Sequence, residues 1–195
     1  LFFAGDIGQR IFRAPFPWTA AGVDVRGRSR SLKVNYRTSH QIRLQSEKLL
    51  PETLIEADGE VESRLGVTSV FEGPAPQIQS FENRDLEIAA LREWLNGYSK
   101  QGINPNEMAI LVRQSASVAS LEDQISIPDL VIMSMHEAKG SEYRVVAIAC
   151  LDHNILPDER RFLAAKDESQ LDEVMTTERH LLYVAATRAR DHLWL

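Results

Sequence analysis

A chain of 195 residues, 44% hydrophobic and 26% charged, has the balance of a soluble globular domain with a real core, not of a fibrous or disordered chain. Its net charge of -6 argues against a uniformly basic nucleic-acid binder, and no apolar run approaches the roughly 20 residues of a membrane span. The single cysteine, Cys150, excludes an internal disulfide framework; it lies in the apolar run VVAIAC, where a buried structural thiol in a reducing, cytoplasmic setting is expected.

In chain order, LFFAGD opens as a short buried strand ending in Gly5-Asp6, with no basic leader before it. A chain that starts and stops inside apolar segments, at Leu1 and Leu195, reads as a piece of a longer protein. IGQRIF follows as a turn and short helix, PFPW is irregular, and VRGRSRS is a basic polar loop. LKVNYR alternates as a strand, after which Thr38 or Ser39 caps a helix to about Leu50. Residues 1–50 hold nine Arg/Lys and three acids, a basic quarter on an acidic body. Such polarity suits a polyanion-facing surface and equally a solvated face with scattered arginines.

Residues 51–75 are mixed, with ADGE a turn and EGPAP a stiff connector, and QIQSF is a strand. NRDLEIAALREWLNGYSKQG is the clearest amphipathic helix: Leu86, Ala89, Ala90, Trp94 and Leu95 recur at helical spacing, and Gly102 stops it. MAILVR is a buried strand and ASVASLEDQ a short helix, with LEDQISIPD a tight link onward. DLVIMSM and VVAIAC are two more strands, separated by HEAKGSEYR. FLAAKDESQLDEVM and TTERHLLYVAATRAR are helical, and HLWL is a final strand. Strands that alternate with helices, and that lack a polar face, imply a mostly parallel sheet covered on both sides, an α/β layered domain. In such folds function gathers at the carboxyl ends of the strands. Asp6–Gln9, Asn35–Arg37, His136–Glu142 and Arg113 are therefore expected to share one edge of the sheet.

Four clusters carry chemistry: Gly5-Asp6-x-x-Gln9-x-x-Phe12, Asn35-Tyr36-Arg37, His136-x-x-Lys139-Gly140-x-Glu142 and Tyr183-x-x-x-Thr187-Arg188-Ala189-Arg190. Each alone is weak. In this order they resemble motifs III, IV, V and VI of the superfamily 1 DNA helicases of the UvrD/Rep/PcrA type. The resemblance implies that residues 1–30 are the tail of a first RecA-like domain with its linker. Residues 31–195 would be the second RecA-like motor domain, without a large inserted subdomain. It also implies ATP with Mg2+ as cofactor, held mainly by the other RecA-like domain of the same parent, and single-stranded DNA as partner, with 3′ to 5′ movement. No G-x-x-x-x-G-K-[ST] phosphate loop occurs in the 195 residues, so the chain alone is expected to hydrolyse no ATP.

Residue by residue, the resemblance casts Arg37 and Arg188 as arginines that stabilise charge building on the γ-phosphoryl oxygens. A planar guanidinium fork suits that task. Taken without the resemblance, Arg188 is a helix-end cation that complements the dipole. Gln9 would sense the γ-phosphate, Tyr36 stack on the adenine and Glu142 accept from the ribose, with Lys139-Gly140 forming the turn that presents it. Phe12 would stack on a base of the tracked strand, and His136 would lie on the DNA side. The sequence departs from the family at Ala14, where a tryptophan is common, so Phe16 or Trp18 takes that place. Ser141 stands where the family usually has leucine. HEAKG lacks the second histidine of a zinc motif, so no metal role is assigned to His136. Asp152, Asp158 and Glu159 read as a solvated loop and not as a nuclease centre. The competing function is a RecA-like domain kept as a protein-docking or regulatory module.

Overall fold

The computed structural model describes residues 9, 11, 20, 22, 32–51, 53–55, 61–63 and 66–195. Along them run β1 (Val34–Asn35), α1 (His40–Glu47), β2 (Thr53–Ile55), β3 (Val61–Ser63), β4 (Thr68–Ser69) and α2 (Arg84–Lys100). A 3-10 turn (Pro105–Glu107) leads into β5 (Met108–Val112), α3 (Ser117–Ile125), β6 (Val131–Ser134) and β7 (Tyr143–Ala149). The chain closes with α4 (Glu159–Ala164), α5 (Glu168–Ala186) and β8 (Ala189–Trp194).

The apolar runs form strands without a polar face because both faces are covered. β6, β5, β7 and β8 pair in that order, every neighbour parallel. Along β5, Met108, Ile110 and Val112 face one layer, while Ala109 and Leu111 face the other. β7 splits the same way, Val145, Ala147 and Ala149 against Val146 and Ile148. The first layer is closed by Ile88, Leu91 and Leu95 of α2 with Leu121 and Ile125 of α3. The second is closed by Ile42 of α1 with Leu181, Val184 and Ala185 of α5, and Ile11 joins it. Each fully buried Leu or Ile contributes roughly 1.5–3 kcal/mol, so the two layers anchor the sheet. The expected α/β architecture, a parallel sheet between helical layers, is what forms. Among the described residues no helix is long and apolar enough to cross a membrane.

Local departures have local causes. LKVNYR yields only the two-residue β1, paired in parallel with β4 outside the main sheet. The Asn35 side chain ends it by accepting hydrogen bonds from the Arg37 and Thr38 amides at 2.8 and 3.1 Å, a turn that competes with strand continuation. α2 starts where Asn83 caps the Leu86 amide and stops at Gly102, whose φ of 88° suits glycine. Its buried stripe is Ile88, Leu91 and Leu95; Leu86 and Ala89 are exposed, so the sequence stripe is rotated from the real one. The tight LEDQISIPD link closes through two left-handed residues, Ser126 and Asp129. QIQSF adds to the outer edge of β8, the Gln77 and Gln79 amides donating to Leu193 and Leu195 carbonyls at 2.9 and 2.8 Å. The terminal helix ends at Ala186, so Arg188 lies in the turn that follows it and Arg190 within β8.

Cys150 is buried at the end of β7, where burial pushes its thiol up to about 11. At pH 8 the thiolate is then scarcer by about two orders of magnitude than in a free thiol. Iodoacetamide labelling of the native chain should be slower than that of the urea-unfolded chain by at least ~50-fold. Equal rates would mean the thiol is reactive.

Candidate functional site

In a sheet whose strands all run one way, a residue's place just before or just after a strand fixes its edge. Arg113 follows β5 and His136 follows β6, which puts both at the carboxyl edge. Glu142 directly precedes β7 and Arg188 directly precedes β8, with Tyr143 registered on Ala189. Both therefore belong to the amino edge. For Arg37, Arg113, His136 and Glu142 the expectation of one shared edge is corrected to two opposite ones; Asp6–Gly8 lie outside the described residues. The reason is that residues 135–142 are themselves the crossover, leaving the carboxyl end of β6 and entering the amino end of β7.

At the amino edge, the Arg37 Nε donates to Glu142 Oε2 at 2.9 Å, both side chains about two-fifths exposed. They are 105 residues apart in sequence. Tyr36, beside them in the chain, is 73% exposed. The loop that presents Glu142 turns at Gly140, whose φ is 95°; a Cβ there would have space, so backbone conformation is what calls for glycine. The Ser141 hydroxyl tightens the turn by donating to the Ala138 carbonyl at 2.6 Å.

Arg188 is fully buried. Its Nε donates to the Val184 carbonyl at 2.9 Å, in the last turn of α5, and its Nη1 to the Ser141 carbonyl at 3.1 Å. Nη2 donates to Thr187 Oγ1 at 3.2 Å, and the Tyr143 amide donates to the Arg188 carbonyl at 3.0 Å. The guanidinium thus completes the helix end, as the dipole reading expects, but from inside the protein and not from its surface. It also fastens α5 to the residue next to Glu142. Gln9 is partly buried, two residues before the core residue Ile11. Phe12, Phe16 and Trp18 lie outside the described residues.

At the carboxyl edge, His136 lines a cavity of about 330 Å³ with Arg113, Gln114, Ser115, Ala116 and Arg160. Beneath it Glu178 grips Arg113 with both oxygens, Oε2 to Nε at 2.7 Å and Oε1 to Nη2 at 2.8 Å. Arg161 adds a third bond to Glu178 Oε1 at 2.9 Å. Asp158 lies 3.6 Å from Arg113 Nη2, and its carboxylate also caps α4 by accepting from the Arg160 amide at 3.0 Å. The hydrogen bonds that Arg113 donates to Glu178 hold its pKa above its already high value against burial. Burial works to raise the Asp158 carboxyl, but the bonds and charge of Arg160, with Arg113, hold it below its usual range. Burial, then the Arg113 charge, pushes the His136 imidazole down, which favours its neutral form. Asp158 is thus committed to arginines and to a helix cap.

Sequence reasoning missed Glu178 and gave Arg113 little weight. A signal was present. Val174, Glu178, Leu181 and Ala185 recur on one buried stripe of α5, and a carboxylate in an apolar register needs a cationic partner.

Residues 118–195 match the model of the UvrD-like helicase C-terminal domain. The chain is 28% identical over 169 residues to a probable DNA helicase II homolog of Mycoplasma capricolum subsp. capricolum, covering 82% of this chain and 20% of that protein. It is 28% identical over 142 residues to the ATP-dependent DNA helicase PcrA of Staphylococcus aureus, covering 73% of this chain and 16% of that one. The fold is similar to the crystal structure of the C-terminal domain of a possible DNA helicase from Lactobacillus plantarum WCFS1. There the TM-score is 0.54 at 16% identity, over 83% of this chain and 86% of that one. The chain spans a fifth or less of the length of these two curated relatives.

Proposed function

We propose, for a chain that carries a UvrD-like helicase C-terminal domain and is distantly homologous to PcrA and DNA helicase II, that it is the second RecA-like motor domain of an ATP-driven DNA helicase or translocase. The observation that supports this most is the meeting of Arg37 and Glu142 at the amino edge, next to exposed Tyr36 and to the Ser141 carbonyl that Arg188 holds. A cation, a hydrogen-bond acceptor and an aromatic face are the groups a nucleoside triphosphate needs from the domain that closes on it. Tyr36 would stack on the base and Glu142 accept from the ribose. Arg37 and Arg188 would serve the γ-phosphoryl group, Gln9 would couple it to DNA, and Mg2+ would be held by the first domain of the parent. Bound ATP supplies the phosphoryl transfer whose charge these arginines would stabilise.

A nucleotide that engages Arg37 and Glu142 replaces their bond to one another. The pair is exposed enough that this exchange costs at most about 1 kcal/mol. The cavity at the carboxyl edge, with Arg113, Arg160 and His136, takes the phosphodiester backbone of single-stranded DNA; Phe12 and Trp18 would add base stacking. Nucleotide and DNA would then lie at opposite edges of one sheet, joined by α5 and the 135–142 crossover.

The test is ATP hydrolysis by the full-length parent, with and without single-stranded DNA, wild type beside Arg37→Ala. DNA should stimulate the wild type, and the variant should turn over ~10³-fold more slowly, the scale of an arginine that stabilises the transferring phosphoryl. The 195-residue chain alone should hydrolyse none. Robust turnover by it would sink the domain assignment.

A further inference from the structure

We propose that Glu178 is a positioning residue for the carboxyl-edge cavity: its carboxylate locks the Arg113 guanidinium so that the remaining nitrogen, Nη1, is presented to a DNA phosphate. The proposal rests on the reading of that cavity as the single-stranded DNA side.

Three observations carry it. Glu178 is 3% exposed and uses both oxygens on the Nε and Nη2 of Arg113, a two-point grip that fixes the plane of the fork. Asp158 shares the same Nη2, so Nη1 is the nitrogen neither carboxylate engages. Arg161, coming from α4 and 39% exposed, also donates to Glu178 Oε1 and helps hold the carboxylate in place. The lock therefore ties β5, α4 and α5 into one rigid base under the cavity.

Simple electrostatics makes the opposite prediction. Arg113, Arg160 and Arg161 face the carboxylates of Glu178 and Asp158, and His136 adds no charge while neutral. As a mere negative charge beside a polyanion, Glu178 weakens binding, and its neutralisation should tighten it. As a positioning residue it strengthens binding, and its neutralisation should loosen it.

The sign decides. Fluorescein-labelled dT16 is titrated into the chain and read by anisotropy at fixed pH over a series of salt concentrations, with melting curves to confirm folding. Glu178→Gln should weaken binding at least ~5-fold and reduce the salt slope by about one phosphate contact. Arg113→Lys, which keeps the charge but not the fork, should lose a comparable factor, and the double variant should be no worse than either single one. Unchanged or tighter binding by Glu178→Gln overturns the proposal. Should that variant fail to fold, wild-type affinity in Arg113→Lys overturns it equally. Arg160→Gln, at an 84% exposed side chain outside the lock, reports on the premise. If wild type does not bind, or Arg160→Gln binds as wild type, the cavity is not the DNA side and the proposal falls with it. If Arg160→Gln weakens binding and Glu178→Gln does not, the DNA side stands and the positioning role is lost.

Discussion

Arg188→Ala is expected to lower the melting temperature of the isolated chain by roughly 10 °C and, in the full-length parent, to slow ATP turnover by ~10³-fold. The two effects have separate origins. The truncation leaves the carbonyls of Val184 and Ser141 without their charged donor in a buried site, and it opens a cavity the size of a long side chain. Each buried acceptor left unsatisfied costs about 1–3 kcal/mol, and the cavity adds to that. A total of about 3–5 kcal/mol shifts the midpoint of a domain this size by roughly 2–4 °C per kcal/mol. The catalytic effect belongs to the proposed role of Arg188 at the γ-phosphoryl group, and the loop adds to it. Arg188 holds the carbonyl of the residue preceding Glu142, so its loss loosens the loop that carries one proposed nucleotide contact and faces the other, Arg37. Arg188→Lys separates the two: it keeps a cation near Ser141 but not the fork, so much of the stability should return while turnover stays low. A wild-type melting temperature in Arg188→Ala would mean the inward bonds stabilise nothing. Wild-type turnover would leave Arg188 a helix-end cation and favour the docking-module reading.

What could be read from the sequence was what burial writes into composition. MAILV and VVAIA lack a polar face because helices cover both sides, so the parallel sheet and its layers were legible before any coordinates. The four clusters were legible as clusters, and three of them do meet, Arg37 with Glu142 and Arg188 with Ser141 beside it. Which edge each occupies was not legible, because eight residues between two strands can form a local turn or a crossover, and only strand order tells them apart. The stripe of α2 was misread because Leu86 and Ala89 are apolar too; helix phase is set by the Asn83 cap and the sheet beneath, not by hydrophobicity alone. Arg188 reads as helical because its neighbours are good helix formers, yet the turn must end before β8 can start beside Tyr143. Glu178 was passed over because a single acid within a charged helix start, TTERH, looks solvated until its register with Leu181 and Ala185 is counted.

That register sets up the second large effect. Arg113→Met and Glu178→Met, made singly, should each destabilise the chain by about 3 kcal/mol or more, since each strands a buried charge beside its missing partner. The losses are not equal. Glu178 keeps Arg161 when Arg113 is gone, whereas Arg113 keeps only Asp158, at the longer distance of 3.6 Å, when Glu178 is gone. Glu178→Met should therefore be the worse single variant. The double variant replaces a buried ion pair with two thioethers of similar length, and such exchanges run from neutral to stabilising once both charges leave together. Urea unfolding of the four proteins should give a coupling energy of about 6 kcal/mol, the sum of the two single losses, with the double variant near wild type. Additive losses would mean the two residues do not act as a pair. If the coupling is found, the recovered double variant becomes the sharper instrument: it restores the fold without restoring the guanidinium, so DNA binding should stay weak at full stability. The ion pair would then be retained for where it points Arg113, because the fold stands without it.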